Sequence, residues 1–214
     1  MPPVLTVVEV ERAAHALARR DSDLRRLLAD HGPPPLWGRR EGFATLVHII
    51  LEQQVSLASA RSVLARLRRN AGRITPRRLL EMGESRLRGS GLTRQKGAYC
   101  LHLAGAVDRG DLDLAALRHL EDEVASQRLQ NLPGIGPWTA TIYLLMALRR
   151  PDVWPAGDLA LAESVRAVKG LRARPTPERL DRIAESWKPY RAVAARMLWQ
   201  RYLARERNRQ ERDH

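Results

Sequence analysis

Two short stretches of this chain carry residue types that could do chemistry. Leu132-Pro133-Gly134-Ile135-Gly136 reads as a tight turn running into a helix opened by Pro137. Some 22 residues past Gly136, a second loop presents a single acid, Asp158. The two glycines permit positive φ and leave the backbone bare, so a bulky group can approach closely. Proline suits the first helical position because its missing N–H costs nothing there. The amides of Gly134 and Gly136 then point outward with the helix N-terminus and make an anion site. On a chain of formal charge +13 the expected anion is a nucleic-acid phosphate. A carboxylate fixed in a loop can stabilise developing positive charge or help deprotonate water. Asp158 can equally cap the helix that Leu159 begins, and both can hold at once.

The elements that must position these residues read as helices throughout. Residues 5–30 form one or two, with Val8, Ala14, Leu17, Leu24, Leu27 and Leu28 as apolar positions. His31 to Gly38 is a loop, since three consecutive prolines forbid a helix. From Phe43 a stripe of Leu46, Val47, Ile50 and Leu51 marks a helix that Gln53-Gln54-Val55 ends. Ser56 then caps the next helix, which buries Ala60, Val63, Leu64 and Leu67. A short helix is expected from Thr75 to about Met82, a turn over Gly89–Thr93, and a helix over Arg94–Val107. Asp122–Leu129 and Pro137 to about Leu148 flank the glycine turn. Leu159–Val168 and Pro175–Ser186 follow. A last helix from near Tyr190 carries Ala195, Leu198, Trp199 and Tyr202 on one face. The charged tail Arg205–His214 is expected to fray. Strand-like alternation is almost absent, so the fold class is all-α.

The length of 214 residues suits one domain or two closely joined lobes, and 44% hydrophobic residues allow a real core. No apolar run is long enough to cross a bilayer, and the N-terminus lacks a basic start followed by an apolar block. One cysteine, Cys100, excludes an intramolecular disulfide and any all-cysteine metal or iron–sulfur cluster. The histidines at 15, 31, 48, 102, 119 and 214 lack metal-ligand spacing.

The run L-P-G-I-G-x-W-T-A, an apolar helix and then P-x-x-D-L resembles the helix-hairpin-helix, Gly/Pro-rich, single-Asp superfamily of DNA glycosylases. Within it the chain is most similar to the alkylated-base branch, the 3-methyladenine DNA glycosylase II type, over about residues 35–203. The N-terminal β-containing domain common in that branch is not expected in the residues ahead of this likeness. The resemblance implies two helical lobes with a central DNA-binding cleft and a helix-hairpin-helix at about 121–149. One lobe would hold about 40–150 and the other about 1–39 plus 151–204, leaving 205–214 as a tail. It implies a monofunctional glycosylase of base excision repair that flips alkylated purines (3-methyladenine, 7-methylguanine) out of duplex DNA. Hydrolysis of the glycosidic bond would leave an abasic site.

On this reading Asp158 is catalytic, because base departure builds positive charge on the sugar. A cationic alkylated base needs no strong general acid. Trp138 stands where relatives that cut the backbone place a Schiff-base lysine. The three lysines, Lys96, Lys169 and Lys188, all lie outside the hairpin. Trp138, Trp199, Tyr143 and Trp154 are the base-pocket candidates; for the first two, plain core packing is the competing reading. Ile142 replaces a tyrosine found in the branch. Pro133, Gly134, Ile135, Gly136 and Thr139 would contact DNA, and Gln54, with Gln53 beside it, would fill the gap left by the flipped base; a helix C-cap or a plain surface glutamine is the competing reading. The resemblance implies no cofactor beyond a Na+ or K+ on the hairpin carbonyls of Leu132 and Ile135. The expected partner is double-stranded DNA with damaged bases, not a membrane, met by a monomer in the cytoplasm (at the nucleoid in a bacterium). Two alternatives stay open: a non-catalytic helix-hairpin-helix DNA-binding or damage-sensing protein, and an oxidised-base glycosylase with lyase activity.

Overall fold

The structure, a computed structural model, describes residues 2–212, and every regular element among them is helical. The helices are α1 (Val7–Arg20), α2 (Ser22–His31), α3 (Phe43–Glu52), α4 (Leu57–Ala71), α5 (Pro76–Gly89) and α6 (Arg94–Asp108). They continue with α7 (Asp122–Gln130), α8 (Pro137–Met146), α9 (Leu159–Val168), α10 (Pro177–Ala184) and α11 (Arg191–Arg212), with short 3-10 turns at Ala116–His119 and Glu185–Trp187. They fall into two compact units, one of Arg39–Leu148, the other of Pro3–Gly38 with the chain from Arg149 onward.

In the first unit α3 is the central rod. Phe43, Leu46, Val47, Ile49, Ile50 and Leu51 are all buried, because α4, α6 and α8 each pack against it. A helix so apolar on most sides must be covered on most sides. In the second unit α11 plays that part, with α1, α2 and α9 against it and Ala192 to Leu198 buried in one run. Arg196 lies inside that run, its guanidinium donating to the Leu36 and Ala192 carbonyls at 2.9 and 3.0 Å. Burial pulls its pKa down to about 10.

Local chemistry sets the helix starts. Thr6 and Glu9 form a capping box on α1. Asp21, Ser56, Thr75, Thr93 and Thr176 each accept an amide of the helix they precede, and Pro76, Pro137 and Pro177 open theirs. The helix expected to end near Met82 does break there, at Gly83 (φ 62, ψ 179), where glycine alone tolerates the geometry; a second helical segment, beyond the expected end, carries α5 on to Gly89. The charged tail from Arg205 is helical as far as Arg212, the end of α11, where Arg, Glu and Gln are strong helix formers. Asp213 and His214 lie outside the described residues.

Candidate functional site

The turn between α7 and α8 belongs to the first unit. The Ile135 N–H donates to the Leu132 carbonyl at 3.1 Å, with Pro133 second and Gly134 third at φ 85. That is the type II turn pattern, which asks for glycine at its third position. Space asks for it too. A Cβ on Gly134 would stand 2.0 Å from Cγ of Tyr99, whose ring lies under the turn. Gly136 is different: its φ is −86 and a Cβ there meets nothing within 4 Å. It is the N-cap of α8 and has no side chain with which to cap that end, so the positive end of the helix dipole lies at a bare glycine. Thr139, expected at a DNA surface, is only 2% exposed, and its hydroxyl accepts from Gln53.

The end of α3 meets this turn. The Gln53 amide nitrogen donates to the Gly134 carbonyl at 2.9 Å and to Thr139 Oγ1 at 2.8 Å. Of the two glutamines, Gln53 is therefore turned inward and is not available as a wedge. Gln54 is exposed, with a left-handed φ of 55. Lys96 of α6 donates to the carbonyls of Leu51 and Gln53 at 2.8 and 2.7 Å, closing the C-terminus of α3. Partial burial holds its pKa below the usual lysine value, against a smaller opposite pull from Cys100. Gln53, Gln54, Gln95, Lys96, Tyr99, Gly134 and Gly136 together line a shallow groove of about 260 Å³.

Asp158 belongs to the second unit. Its N–H donates to the Pro155 carbonyl at 3.0 Å, closing a turn through Pro155, Ala156 and Gly157 just ahead of α9. Its Oδ1 accepts the Leu161 N–H at 2.9 Å, capping α9, and the Trp199 indole N–H at 3.1 Å. The half-buried carboxylate is thus fixed by its own helix and by α11. Leu159, beside it, is 70% exposed.

The remaining aromatic candidates are placed unevenly. Trp138 is half-buried at the second residue of α8. Tyr143 is fully buried in the first unit, its hydroxyl accepting the Gly42 N–H at 2.9 Å, and burial pushes its pKa up to about 12. Trp154 is buried in the second unit, edge-on to Trp187 at 5.4 Å. Tyr143 and Trp154 are therefore core residues, because each ring is enclosed by its own unit. Trp199 is 8% exposed, packed and bonded to Asp158 at once. Sequence reasoning missed Lys96 and Tyr99. The scarcity of lysine in an arginine-rich chain was the signal that could have found the first. Among the described residues no three His, Cys, Asp or Glu side chains group as a metal site, and no helix is long and apolar enough to cross a membrane.

Known proteins resemble this arrangement over most of its length. The chain is 25% identical over 186 residues to YfjP of Bacillus subtilis (strain 168), provisionally named a DNA-3-methyladenine glycosylase; the match covers 83% of this chain. The chain spans 65% of that relative's length. The 3-methyladenine DNA glycosylase Mag1 of Schizosaccharomyces pombe, solved in complex with abasic DNA, is 26% identical with a TM-score of 0.78, covering 88% of this chain and 95% of that one. A DNA-3-methyladenine glycosidase from Bacillus halodurans is 28% identical with a TM-score of 0.76, over 89% of this chain and 88% of the other. Residues 47–189, which carry Gln53 and Gln54, the hairpin and Asp158, match the model of one family, and the chain belongs to it: the HhH-GPD superfamily of base excision DNA repair proteins.

Proposed function

We propose that this protein is a monofunctional DNA glycosylase that removes alkylated purines, 3-methyladenine and 7-methylguanine among them, from double-stranded DNA and leaves an abasic site. The observation that carries this reading is the Asp158 carboxylate, held at the mouth of α9 by the Leu161 and Trp199 N–H groups in a chain of this family. The turn at Gly134–Gly136 would bind backbone phosphate through the amides of its two glycines and the start of α8. Gln54 would fill the space left by the flipped nucleotide, and Trp138 would offer its ring to the cationic base, with Trp199 beside the acid.

The chemistry then needs little. The C1′–N bond breaks with its electron pair going to the base, which leaves neutral, and positive charge builds on the sugar. Asp158 stabilises that charge, water attacks C1′, and the water's proton passes to the carboxylate or to solvent. No step requires a cofactor. A Na+ or K+ on the Leu132 and Ile135 carbonyls fits the turn, since Leu132 accepts one hydrogen bond and a carbonyl has two lone pairs. The protein would act as a monomer in the cytoplasm, at the nucleoid in a bacterium.

The test is release of methylated purines from methylated duplex DNA. Wild type should free them, while Asp158→Asn frees none and still binds an abasic duplex. Equal release by both would remove Asp158 from the mechanism. Binding without release by the wild type would favour a DNA-binding module that has no chemistry.

A further inference from the structure

We propose that Gln53 is a positioning residue that locks the wedge turn to the phosphate-binding turn, so that Gln54 enters the duplex in fixed register with the backbone held by Gly134–Gly136. The proposal rests on the DNA-binding reading above and adds a role that neither turn has alone.

Gln53 ends α3 and reaches across 81 residues of sequence to Gly134 and 86 to Thr139. Its side-chain orientation follows from its partners. The Gly134 carbonyl can only accept, so the amide nitrogen must face it. That nitrogen has two hydrogens, and the second goes to the buried Thr139 hydroxyl. A glutamate here would set an anionic oxygen against a carbonyl, and a methionine would fill the volume without either bond. The backbone of the same residue is held from the other side, where its carbonyl accepts from Lys96 at 2.7 Å. Gln54 follows at φ 55, a conformation that costs a non-glycine residue about 1 kcal/mol and persists only where the surroundings fix it. Gln53 and Lys96 supply that fixing. Gly134 is in turn seated on Tyr99 of α6, so the end of α3, the start of α6 and the hairpin turn form one junction. A phosphate bound at the hairpin therefore sets where Gln54 stands.

The experiment compares affinity for an abasic duplex with affinity for the intact duplex, which requires no catalysis, in wild type, Gln53→Met, Gln54→Ala and the double variant. Thermal melting is followed in parallel. Losing two hydrogen bonds should cost Gln53→Met roughly tenfold in abasic selectivity, while intact-duplex binding by the turn's amides is kept. Gln54→Ala should lose as much, and the double variant no more than either. A 2-aminopurine placed opposite the abasic site should report the same loss, its fluorescence change on binding vanishing in both single variants. Thr139→Val, which keeps the Gly134 bond, should fall between wild type and Gln53→Met. Full selectivity in Gln53→Met, or a double variant whose loss is the product of the two single losses, overturns the coupling and leaves the glycosylase reading intact. A wild type with no preference for the abasic duplex overturns that reading and this one with it.

Discussion

The indole N–H of Trp199 donates to Oδ1 of Asp158 at 3.1 Å, on the same oxygen that accepts the Leu161 amide at 2.9 Å. An acid that caps its own helix is held a second time by a residue 41 positions later. Helix capping alone would leave the carboxylate free to swing about its side-chain torsions; the indole removes that freedom. Trp199→Phe keeps most of the packing and deletes the donor. Base release by this variant should slow by about tenfold to a hundredfold, the range of one charge-assisted bond, with little change in melting temperature. Single-turnover release of 7-methylguanine measures it, and a wild-type rate would reduce the indole to packing.

The two glycines of the hairpin should fail differently. Gly134→Ala combines a positive φ with a Cβ 2.0 Å from the Tyr99 ring, so it should destabilise the first unit, and Tyr99→Ala should restore part of the loss. Strain from φ alone is worth about 1–2 kcal/mol. Gly136→Asp meets no atoms within 4 Å and should fold normally, yet bind all duplexes more weakly. Its salt dependence should flatten by about one phosphate contact. Urea unfolding separates the first case and a salt titration of DNA binding the second. Equal behaviour in the two variants would refute the distinction.

Acid stability should depend on Asp21. Burial by itself would raise this carboxyl's pKa, but bonds from Lys169 and the Trp187 indole, both at 2.8 Å, and from the Leu24 amide outweigh it and hold the value below 3.8. The folded state binds that proton less tightly than the unfolded one. Asp21 therefore contributes fully above 3.8, and its contribution is lost as pH falls through the lower folded value. Lys169 runs the other way. Burial by itself lowers its pKa, its bonds to Asp21 and Asp23 raise it above 10.5, and its contribution is lost as pH rises through the raised value. Asp21→Asn should cost about 1–3 kcal/mol at neutral pH and lose less than wild type on acidification. Denaturant unfolding at neutral pH and again below pH 3.8 checks this; parallel acid losses would count against it.

Cys100 should be silent while the protein is folded. Its thiol is fully buried, and burial pushes its pKa up to about 12 against a smaller pull from Lys96. Iodoacetamide at neutral pH should label it only in denaturant, so the labelling rate would report opening of the first unit. Rapid labelling under native conditions would show that α6 opens far more readily than its packing suggests.

Much of the scaffold could be read from the chain because its signals are local. Pro137 opens α8, Ser56 caps α4 and Asp158 caps α9 as their residue types demand. The helical turns after Gly83 were harder to read, since a glycine amid arginines and leucines looks like an ending when it is a joint. What the sequence could not show is direction. Gln53 and Gln54 are adjacent and chemically identical, and only folding decides that one bonds to residue 134 while the other faces solvent. The same holds for Tyr99 under Gly134 and for Trp199 on Asp158, pairings across 35 and 41 positions that no periodicity encodes. Tyr143 and Trp154 misled because an aromatic ring near a motif suggests a pocket, while burial is settled by what lies opposite.

Every lysine in this chain has its ammonium turned toward oxygen: Lys96 toward two main-chain carbonyls, Lys169 toward two aspartates, and Lys188 toward Glu185 at 2.9 Å. A nitrogen donating in this way directs its N–H bonds at those oxygens and not at an electrophilic carbon. The rest of the 37 basic side chains are guanidinium groups, which stay charged and do not condense with aldehydes at neutral pH. A deoxyribose that has lost its base opens to an aldehyde. In a glycosylase of the kind proposed, a surface built this way would hold that ring-opened sugar by charge alone, without eliminating its phosphate and nicking the strand.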